Sequence, residues 1–285
     1  MTRLQVRDAS LGYDRRLISE HLDLDVPDGA FTVVVGPNAC GKSTLLRALA
    51  RLLRPSAGSV VLDGRDIHSY RAKEVARRLG LLPQSSVAPD GITVEELVAR
   101  GRHPHQRLLQ QWTTQDEEVV QEAMAATGVT ALAGRLVDEL SGGQRQRVWV
   151  AMALAQETDL LLLDEPTTFL DVAHQIELLE LFRHLNVDRG RTLVAVLHDL
   201  NHACRYADHI VAMADGRVVA QGSPADVVTA ELVHEVFGLP AHVFADPVAG
   251  TPLVVPSGPP GSAFGPDRRY DGARRAEPAP EPAVV

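Results

Sequence analysis

The chain has 285 residues, of which 45% are hydrophobic and 23% charged, and its formal net charge is −9. This length accommodates one sizeable core with a subdomain, or two small domains. No apolar run is long enough to span a membrane and no signal peptide is recognisable, so we expect a cytoplasmic protein. The negative charge argues against nucleic-acid binding through a broad basic surface.

The chain has two cysteines, Cys40 and Cys204, which are far apart in the sequence. This spacing favours reduced thiols over a structural disulfide. We expect both to be small, partly buried residues, although a helix N-terminus beside Cys40 can also lower the pKa of its thiol and make it reactive.

Short strands separated by turn signals are predicted for residues 4–31. Gly12 and the triplet Pro27-Asp28-Gly29 interrupt segments in which apolar and polar residues alternate. This pattern favours antiparallel strands that lead into the next strand. Tyr13 fits either a half-buried strand aromatic or a stacking platform for adenine, because an aromatic face provides contact without requiring a particular hydrogen bond.

A glycine-rich loop between a strand and a helix is predicted for residues 33–44, which read VVVGPNACGKST. An apolar run precedes this loop and an amphipathic run follows it, which is the order of a P-loop. Its amide groups form a phosphate pocket, with Lys42 at the outer phosphates and the Ser43 hydroxyl on Mg²⁺. The predicted nucleotide-binding residues of the loop are Gly36, Pro37, Asn38, Ala39, Cys40, Gly41, Lys42, Ser43 and Thr44.

The segment after the P-loop changes from strands to helices. A strand is predicted at residues 59–62, followed by an Asp63-Gly64 hairpin turn, and another at 79–82, just before Gln84. Taken alone, Gln84 reads as a loop residue. Residues 93–155 are predicted to be nearly continuous helix, with helix starts at 93–96 and 114–117, the second of which reads as a capping box.

A second helix start suited to phosphate follows at residues 140–144, which read LSGGQ. Ser141 is placed as the N-cap, and Gly142 and Gly143 leave the amide groups open to an anion. This site has no lysine of its own. Because one nucleotide does not need two such sites in one chain, we expect the second to serve another copy of the chain.

Two adjacent carboxylates end an all-apolar run at residues 160–163, which is typical of a central parallel strand. Consecutive side chains of a strand point to opposite sides, so Asp164 and Glu165 should have different roles. We expect Asp164 to hold Mg²⁺ together with Ser43, and Glu165 to polarise the attacking water. His198 follows another buried strand, at the edge where open α/β sheets bind their ligands.

The C-terminal part of the chain contains a second hairpin signal, Asp215-Gly216, and a helical stretch at residues 224–237. Beyond it the chain is rich in Pro, Ala and Gly. We predict that residues 241–285 form a disordered tail that the chemistry does not need.

The ordered set of motifs over residues 2 to about 240 resembles the nucleotide-binding subunit of ATP-binding cassette (ABC) transporters. Residues 36–44 are similar to the Walker A loop of this family, 140–144 to its LSGGQ signature, and 160–165 to Walker B with its catalytic glutamate. Gln84 is similar to the Q-loop glutamine, His198 to the switch histidine, and Tyr13 to the adenine-stacking aromatic. Asp171 lies in a segment that resembles the D-loop.

The resemblance implies ATP and Mg²⁺ as ligands and a head-to-tail dimer as the active form. Ser141, Gly142, Gly143 and Gln144 would then contact the γ-phosphate bound to the other copy. The implied catalytic residues are Glu165, His198, Gln84 and Lys42, and the implied metal ligands are Ser43, Gln84 and Asp164. Ala39 departs from the glycine that is commonest at its position, for which we expect a modest backbone adjustment.

Residues 101–106 and 166–175 resemble those of the importers of ferric siderophores, which implies a substrate class. Alternatives are an importer of haem or cobalamin, a soluble ABC ATPase acting on nucleic acid or ribosomes, and a nucleotide-binding scaffold without turnover. The implied partners are a second copy, two integral-membrane permease subunits and, indirectly, an extracytoplasmic binding protein, with no nucleic acid. The implied location is the cytoplasmic face of the membrane.

The predicted fold class is α/β, a P-loop NTPase with a RecA-like core. The core is expected from residues 1–86 and 157–240, with an N-terminal antiparallel β-subdomain and an inserted α-helical subdomain at 87–156.

Overall fold

The computed structural model describes residues 2–14, 16–84, 87–106 and 112–257. Its strands are β1 (Leu4–Tyr13), β2 (Arg16–Val26), β3 (Phe31–Val35), β4 (Ala57–Leu62), β5 (Arg65–Asp66), β6 (Leu79–Leu82), β7 (Leu160–Asp164), β8 (Thr192–Val196), β9 (His209–Ala214), β10 (Arg217–Gly222), β11 (Ala241–Ala245) and β12 (Pro252–Pro256). Its α-helices are α1 (Lys42–Leu49), α2 (Ala72–Ala76), α3 (Val94–Ala99), α4 (Thr114–Ala126), α5 (Gly142–Ala155), α6 (Val172–Arg189), α7 (Leu200–Tyr206), α8 (Pro224–Val227) and α9 (Ala230–Phe237).

A six-stranded sheet in the order β10-β9-β3-β8-β7-β6 forms the centre of the fold. The pairs from β9 to β6 are parallel, and β10 is antiparallel to β9. Every residue of β3, β7 and β8 is buried, as expected for strands covered on both faces. The carboxyl ends of these parallel strands therefore meet at one edge of the sheet.

A second, antiparallel sheet in the order β2-β1-β4-β5 covers α1. The apolar side chains of β1, β2 and β4 share one core with α1 and with one face of the central sheet. The helix that follows the P-loop is thereby held between the two sheets. The predicted mixed α/β class and the N-terminal antiparallel strands are confirmed.

Helices α3, α4 and α5 lie in the chain between β6 and β7 and pack on one another. Thr93 caps α3 with a capping box to Glu96. The capping box predicted at residues 114–117 lies one residue earlier in the structure, where Thr113 is the N-cap of α4 and Asp116 is its partner. We retain 87–156 as the proposed bounds of a helical subdomain; residues 85, 86 and 107–111 lie outside the described residues.

Residues 241–256 were expected to be irregular, and the structure contradicts this part of the prediction. Strands β11 and β12 form an antiparallel hairpin. The hairpin is held on α7 because the Asn201 amide donates to the Val254 carbonyl oxygen at 3.2 Å and accepts from its backbone N–H at 2.7 Å. Val254 is buried, and its two bonds to Asn201 hold a strand pair in a Pro-rich segment whose sequence shows no regular alternation of apolar and polar residues. The rest of the predicted tail, 258–285, lies outside the described residues.

Within the described ranges, no helix is both long enough and apolar enough to cross a membrane.

Candidate active site

The candidate site lies at the edge of the central sheet where the parallel strands end. The P-loop follows β3, Gln84 follows β6, Glu165 follows β7, and His198 follows β8 by two residues. Neighbouring strands in this sheet are β3 and β8, β8 and β7, and β7 and β6. Four segments that are distant in sequence are thus brought to one edge, as the topology of an open parallel sheet requires.

The backbone conformation of the P-loop explains why its motif begins with glycine. Gly36 has φ 152°, and a Cβ atom there would lie 2.2 Å from the carbonyl oxygen of Met213, so no other residue fits without moving the strand. Ala39 has φ 63°, a left-handed conformation that costs an L-residue about 1 kcal/mol. Glycine is free of this cost, which gives a physical reason for its frequency at this position.

Lys42 is buried and its ammonium group donates to two carbonyl oxygens of its own loop. The distances from Nζ to the oxygens of Gly36 and Pro37 are both 2.8 Å. The loop therefore curls around the lysine, and its charge is held where the outer phosphates of a nucleotide would lie.

Cys40 is also buried in this loop, and burial raises the pKa of its thiol while the charge of Lys42 acts in the opposite direction. Of the two expectations for Cys40, the structure fits a buried thiol of low reactivity. Cys204 is likewise buried, which raises its pKa to about 12.

Ser43 and Asp164, which the sequence predicts as a metal-binding pair, lie within hydrogen-bond distance of each other. The Ser43 hydroxyl donates to Oδ1 of Asp164 at 3.0 Å, across the gap between α1 and β7. Burial raises the pKa of Asp164, the hydrogen bond from Ser43 lowers it, and the neighbouring carboxylate of Glu165 raises it further. A hydroxyl and a carboxylate at hydrogen-bond distance are hard oxygen ligands that suit Mg²⁺, so the residues present fit this ion.

Glu165 and His198 form a second pair beside the first. Nε2 of His198 lies 2.7 Å from Oε1 of Glu165, and the Thr168 hydroxyl donates to Oε2 at 3.3 Å. The Glu165 side chain is 12% exposed and that of His198 is 48% exposed, so the carboxylate is largely covered while the imidazole remains accessible to solvent. Glu165 has φ 52°, a left-handed conformation that turns its side chain out of line with β7.

Lys42, Ser43, Glu165 and His198 line one cavity of about 280 Å³, whereas Asp164 is not part of its lining. Its lining consists of Arg16, Ile18, Asn38, Ala39, Gly41, Lys42, Ser43, Thr44, Glu165 and His198. Arg16 and Ile18 were missed by the sequence analysis, because no local pattern marks them as site residues. They come from β2, which only the packing of the two sheets places against the P-loop.

Four predicted site segments do not line this cavity. Tyr13 lies at the end of β1 and is 41% exposed, and Gln84 is exposed beyond β6. Ser141 caps α5 by accepting a hydrogen bond from the Gln144 backbone N–H, as predicted. Asp171 caps α6 in the same way, and the backbone N–H of His174 lowers the pKa of its carboxyl.

The LSGGQ segment instead adjoins the D-loop-like segment on an exposed part of the chain. A Cβ atom on Gly142 would lie 3.6 Å from the Cβ of Phe169, and Phe169 is 75% exposed. The N-terminus of α5, which suits a phosphate, therefore does not line the cavity of its own chain and lies beside an exposed aromatic residue.

Comparisons with known proteins show the family of this chain. The profile of the ABC transporter family matches residues 19–168, which include the P-loop, the LSGGQ segment and the two carboxylates. The ferric enterobactin transport ATP-binding protein FepC of Escherichia coli (strain K12) is 58% identical over 258 residues, covering 90% of this chain and 95% of FepC. The chain belongs to the ABC transporter family.

One further relative and one solved structure are similar to this chain over most of its length. The achromobactin transport ATP-binding protein CbrD of Dickeya dadantii (strain 3937) is 54% identical over 258 residues, covering 90% of this chain and 96% of CbrD. A solved structure of a transporter assigned to the metal-chelate ABC type, in an inward-facing conformation, matches with a TM-score of 0.76 and 29% identity. That match covers 90% of this chain and 97% of the other.

Membership of this family makes the chain an ATP-binding and ATP-hydrolysing subunit of the ABC type. It also confirms the P-loop NTPase fold class with its parallel core, antiparallel N-terminal strands and helical insertion.

Proposed function

We propose that this ABC subunit couples ATP hydrolysis to the import of ferric siderophores. The observation that carries the hydrolytic part is the pairing of Glu165 with His198 at the mouth of the P-loop cavity. Identity of 58% to a ferric enterobactin protein and 54% to an achromobactin protein supports the chelate class. The two relatives are named for different siderophores, so the class is proposed rather than one chelate.

The phosphate end of the nucleotide is assigned to the P-loop in this proposal. Amide groups at the start of α1 and the ammonium of Lys42 neutralise the negative charge of the phosphates. Ser43 and Asp164 would hold Mg²⁺ with the help of Gln84, and the ion would supply charge neutralisation between the outer phosphates. Tyr13 would stack on the adenine from the end of β1.

The hydrolytic step is assigned to Glu165 and His198. A carboxylate at the end of β7 is placed to accept a proton from the attacking water. His198 already contacts that carboxylate through Nε2, so it holds Glu165 in one orientation and can donate to the phosphate once the nucleotide is bound. Phosphoryl transfer needs this positioning and charge neutralisation more than covalent chemistry.

A second copy of the chain would complete the site. The capped start of α5 at Ser141, with Gly142 and Gly143, has open amide groups and no phosphate in its own chain to bind. Phe169 is exposed beside it, and Val172 at the start of α6 is 73% exposed. An exposed apolar pair next to an anion-suited helix start supports a head-to-tail dimer in which Asp171 and the LSGGQ segment face the partner's nucleotide.

The permease subunits are proposed to dock on the segment that follows Gln84. Val87 is 92% exposed, and Trp112, which is 42% exposed, lines a surface groove together with residues of the stretch 89–106. Exposed apolar residues of this size favour a protein contact. The proposed location, at the cytoplasmic face of the membrane, follows from this contact. Residues 85 and 86, which belong to the proposed docking segment, lie outside the described residues.

Ferric-siderophore uptake in a deletion strain tests the proposal. The strain is grown under iron limitation and complemented with the wild type, with Glu165→Gln or with Glu177→Gln, which changes a glutamate on α6. Labelled ferric enterobactin and ferric achromobactin are supplied separately. We expect uptake to be restored by the wild type and by Glu177→Gln, and lost with Glu165→Gln. Unchanged uptake of every chelate in the deletion strain would refute the import role.

Purified protein separates hydrolysis from transport. Glu165→Gln should bind ATP as tightly as the wild type and accumulate as an ATP-bound dimer, while turnover falls by a factor of about 10² or more. Gel filtration with and without ATP measures the dimer. Full turnover in Glu165→Gln would remove this residue from the mechanism and leave the import role standing.

A further inference from the structure

A side-chain contact outside the assigned motifs joins the two ends of the nucleotide site. Nη1 of Arg47 donates to the hydroxyl oxygen of Tyr13 at 3.0 Å. Arg47 belongs to α1, which begins at the P-loop, whereas Tyr13 ends β1 in the antiparallel sheet. The bond therefore connects the proposed base platform to the helix that carries the phosphate-binding residues.

The position of Arg47 on α1 explains how it reaches Tyr13. Six of the eight residues of α1 are buried, and Arg47 is the exposed one. It lies four residues after Ser43, so both project from the same face of the helix. In the part of the chain that the structure describes, the Arg47 guanidinium makes no other side-chain hydrogen bond or ion pair, so it is available to hold the ring of Tyr13.

The backbone of Tyr13 is held independently of Arg47. Gly12 pairs with Leu17 and Tyr13 with Arg16 across the β1-β2 hairpin. A Cβ atom on Gly12 would lie 2.4 Å from the carbonyl oxygen of Arg16, so the two strands are in close contact here. The main chain of Tyr13 is therefore constrained, while its ring, 41% exposed, can still rotate about χ1 and χ2.

We propose that Arg47 is a positioning residue that fixes the ring of Tyr13 in the orientation needed for stacking on the base of the nucleotide. This inference rests on the proposed stacking role of Tyr13. A ring restrained before binding loses less rotational freedom when the base arrives, so the restraint raises affinity without any contact to the reacting phosphate. Among the described residues Arg47 makes no hydrogen bond to Glu165 or His198, although its charge lowers the pKa of Asp164; its assigned role is in base binding, and the hydrolytic step is left to Glu165 and His198.

The inference separates the base from the phosphates, so two ligands test it. ATP carries a base, whereas inorganic tripolyphosphate offers the same phosphate chain without one. Calorimetry with Mg²⁺ measures the affinity of each ligand for the full-length protein. Arg47→Met removes the donor and Tyr13→Phe removes the acceptor but keeps the ring. Arg54→Met removes an exposed arginine charge near the same helix without touching Tyr13 and is the matched control.

Both single variants should weaken ATP binding by about three- to tenfold, the effect of one partly exposed hydrogen bond to a charged group. The double variant should bind ATP no more weakly than either single variant, because each substitution removes the same hydrogen bond between Arg47 and Tyr13. In Arg47→Met, the KM for ATP should rise with kcat and melting temperature unchanged. Tripolyphosphate affinity should be unaffected, and Arg54→Met should match the wild type.

Four outcomes would overturn the inference. If Arg47→Met weakens tripolyphosphate as much as ATP, Arg47 acts on the phosphates directly. If the losses in the double variant add, the two residues act separately. If Tyr13→Ala weakens ATP by about tenfold but Arg47→Met has no effect, stacking stands and the positioning role falls. If Tyr13→Ala also has no effect, the proposed stacking role falls with it, while the uptake experiment remains informative about transport.

Discussion

Removing the guanidinium of Arg102 should destabilise the fold without touching the nucleotide site. Arg102 is only 3% exposed, and it lies between helices α3 and α4. Its Nε donates to Oδ1 of Asp116 at 2.9 Å, and its Nη1 donates to the Ala155 carbonyl oxygen at 2.9 Å and to Oε2 of Glu157 at 2.7 Å. One side chain thus joins the start of α4 to the end of α5.

The size of the loss follows from what Arg102→Met leaves behind. Methionine fills much of the same space, so the main change is electrostatic. The Asp116 carboxylate, 7% exposed, would keep its bonds from Thr113 but lose its only cation at hydrogen-bond distance among the described residues. Breaking a buried pair by removing one partner costs about 3–5 kcal/mol, and the retained Thr113 bonds favour the lower end, about 3 kcal/mol.

The loss should depend on pH, with a sign that the pKa of Asp116 determines. Burial raises that pKa, but hydrogen bonds from Thr113 and Arg102 outweigh it, and the net result lies below the ordinary value of 3.8. In the wild type, this carboxylate stabilises the fold above the unfolded pKa, and the effect is lost as pH falls through the folded pKa. In Arg102→Met, the hydrogen bond and the positive charge of Arg102 no longer lower this pKa, so the folded pKa is higher than in the wild type. The gap between variant and wild type should therefore stay constant near neutral pH and narrow as pH falls towards and below 3.8, where aspartate protonates.

Thermal and urea denaturation measure this gap. A loss of about 3 kcal/mol corresponds to roughly 6 °C in melting temperature for a chain of this size. The matched control is Arg7→Met, which breaks an exposed pair with Asp25 whose side chains are 44% and 50% exposed and should cost less than about 1 kcal/mol. Equal losses in both variants, or a loss in Arg102→Met that does not change with pH, would refute the reasoning.

Three further predictions concern the surroundings of the site. Gly216→Ala should destabilise the protein more than Gly64→Ala, although both glycines have nearly the same φ (75° and 77°). A Cβ on Gly216 would lie 1.9 Å from the Ile18 carbonyl oxygen, whereas a Cβ on Gly64 would have no other group of the described residues within 4 Å. Urea denaturation should give about 1 kcal/mol for Gly64→Ala, and equal values would contradict the steric argument. Because burial raises the pKa of Asp164, this carboxylate protonates while an ordinary aspartate is still ionised. The Mg²⁺ concentration for half-maximal ATPase activity should therefore increase on acidification, and a constant value would remove Asp164 as a ligand. Ser141→Ala removes the cap of α5 and should lower stability by about 1 kcal/mol in the same denaturation assay, whereas no change would show that the cap is dispensable.

The motifs with strict local geometry could be predicted from the sequence. The P-loop, the Ser141 cap and the carboxylates after β7 depend on residue types at short spacing, which set backbone conformation and periodicity without reference to the rest of the chain. The central strands were recognisable because burial on both faces demands unbroken apolar runs. The apolar run before the glycine-rich loop and the amphipathic run after it also indicated the order of strand, loop and helix, and therefore the fold class.

Contacts between distant segments could not be predicted in this way. No local pattern indicates that Arg16 and Ile18 of β2 line the cavity, that Arg47 holds Tyr13, or that Arg102 joins α4 to the end of α5. The hairpin at residues 241–256 was missed for the same reason, since Asn201 on α7 holds it in place.

The sequence by itself determined the candidate residues of the site: the glycine-rich loop with Lys42, the carboxylates that end the central strand, and the histidine that follows the next strand. The tertiary structure decided which of these residues meet. It brings Glu165 to 2.7 Å from His198 and Asp164 to 3.0 Å from Ser43, while it leaves the LSGGQ segment outside its own cavity. The physical reason is that chain spacing fixes local conformation, whereas distances between remote side chains depend on how the sheets and helices pack.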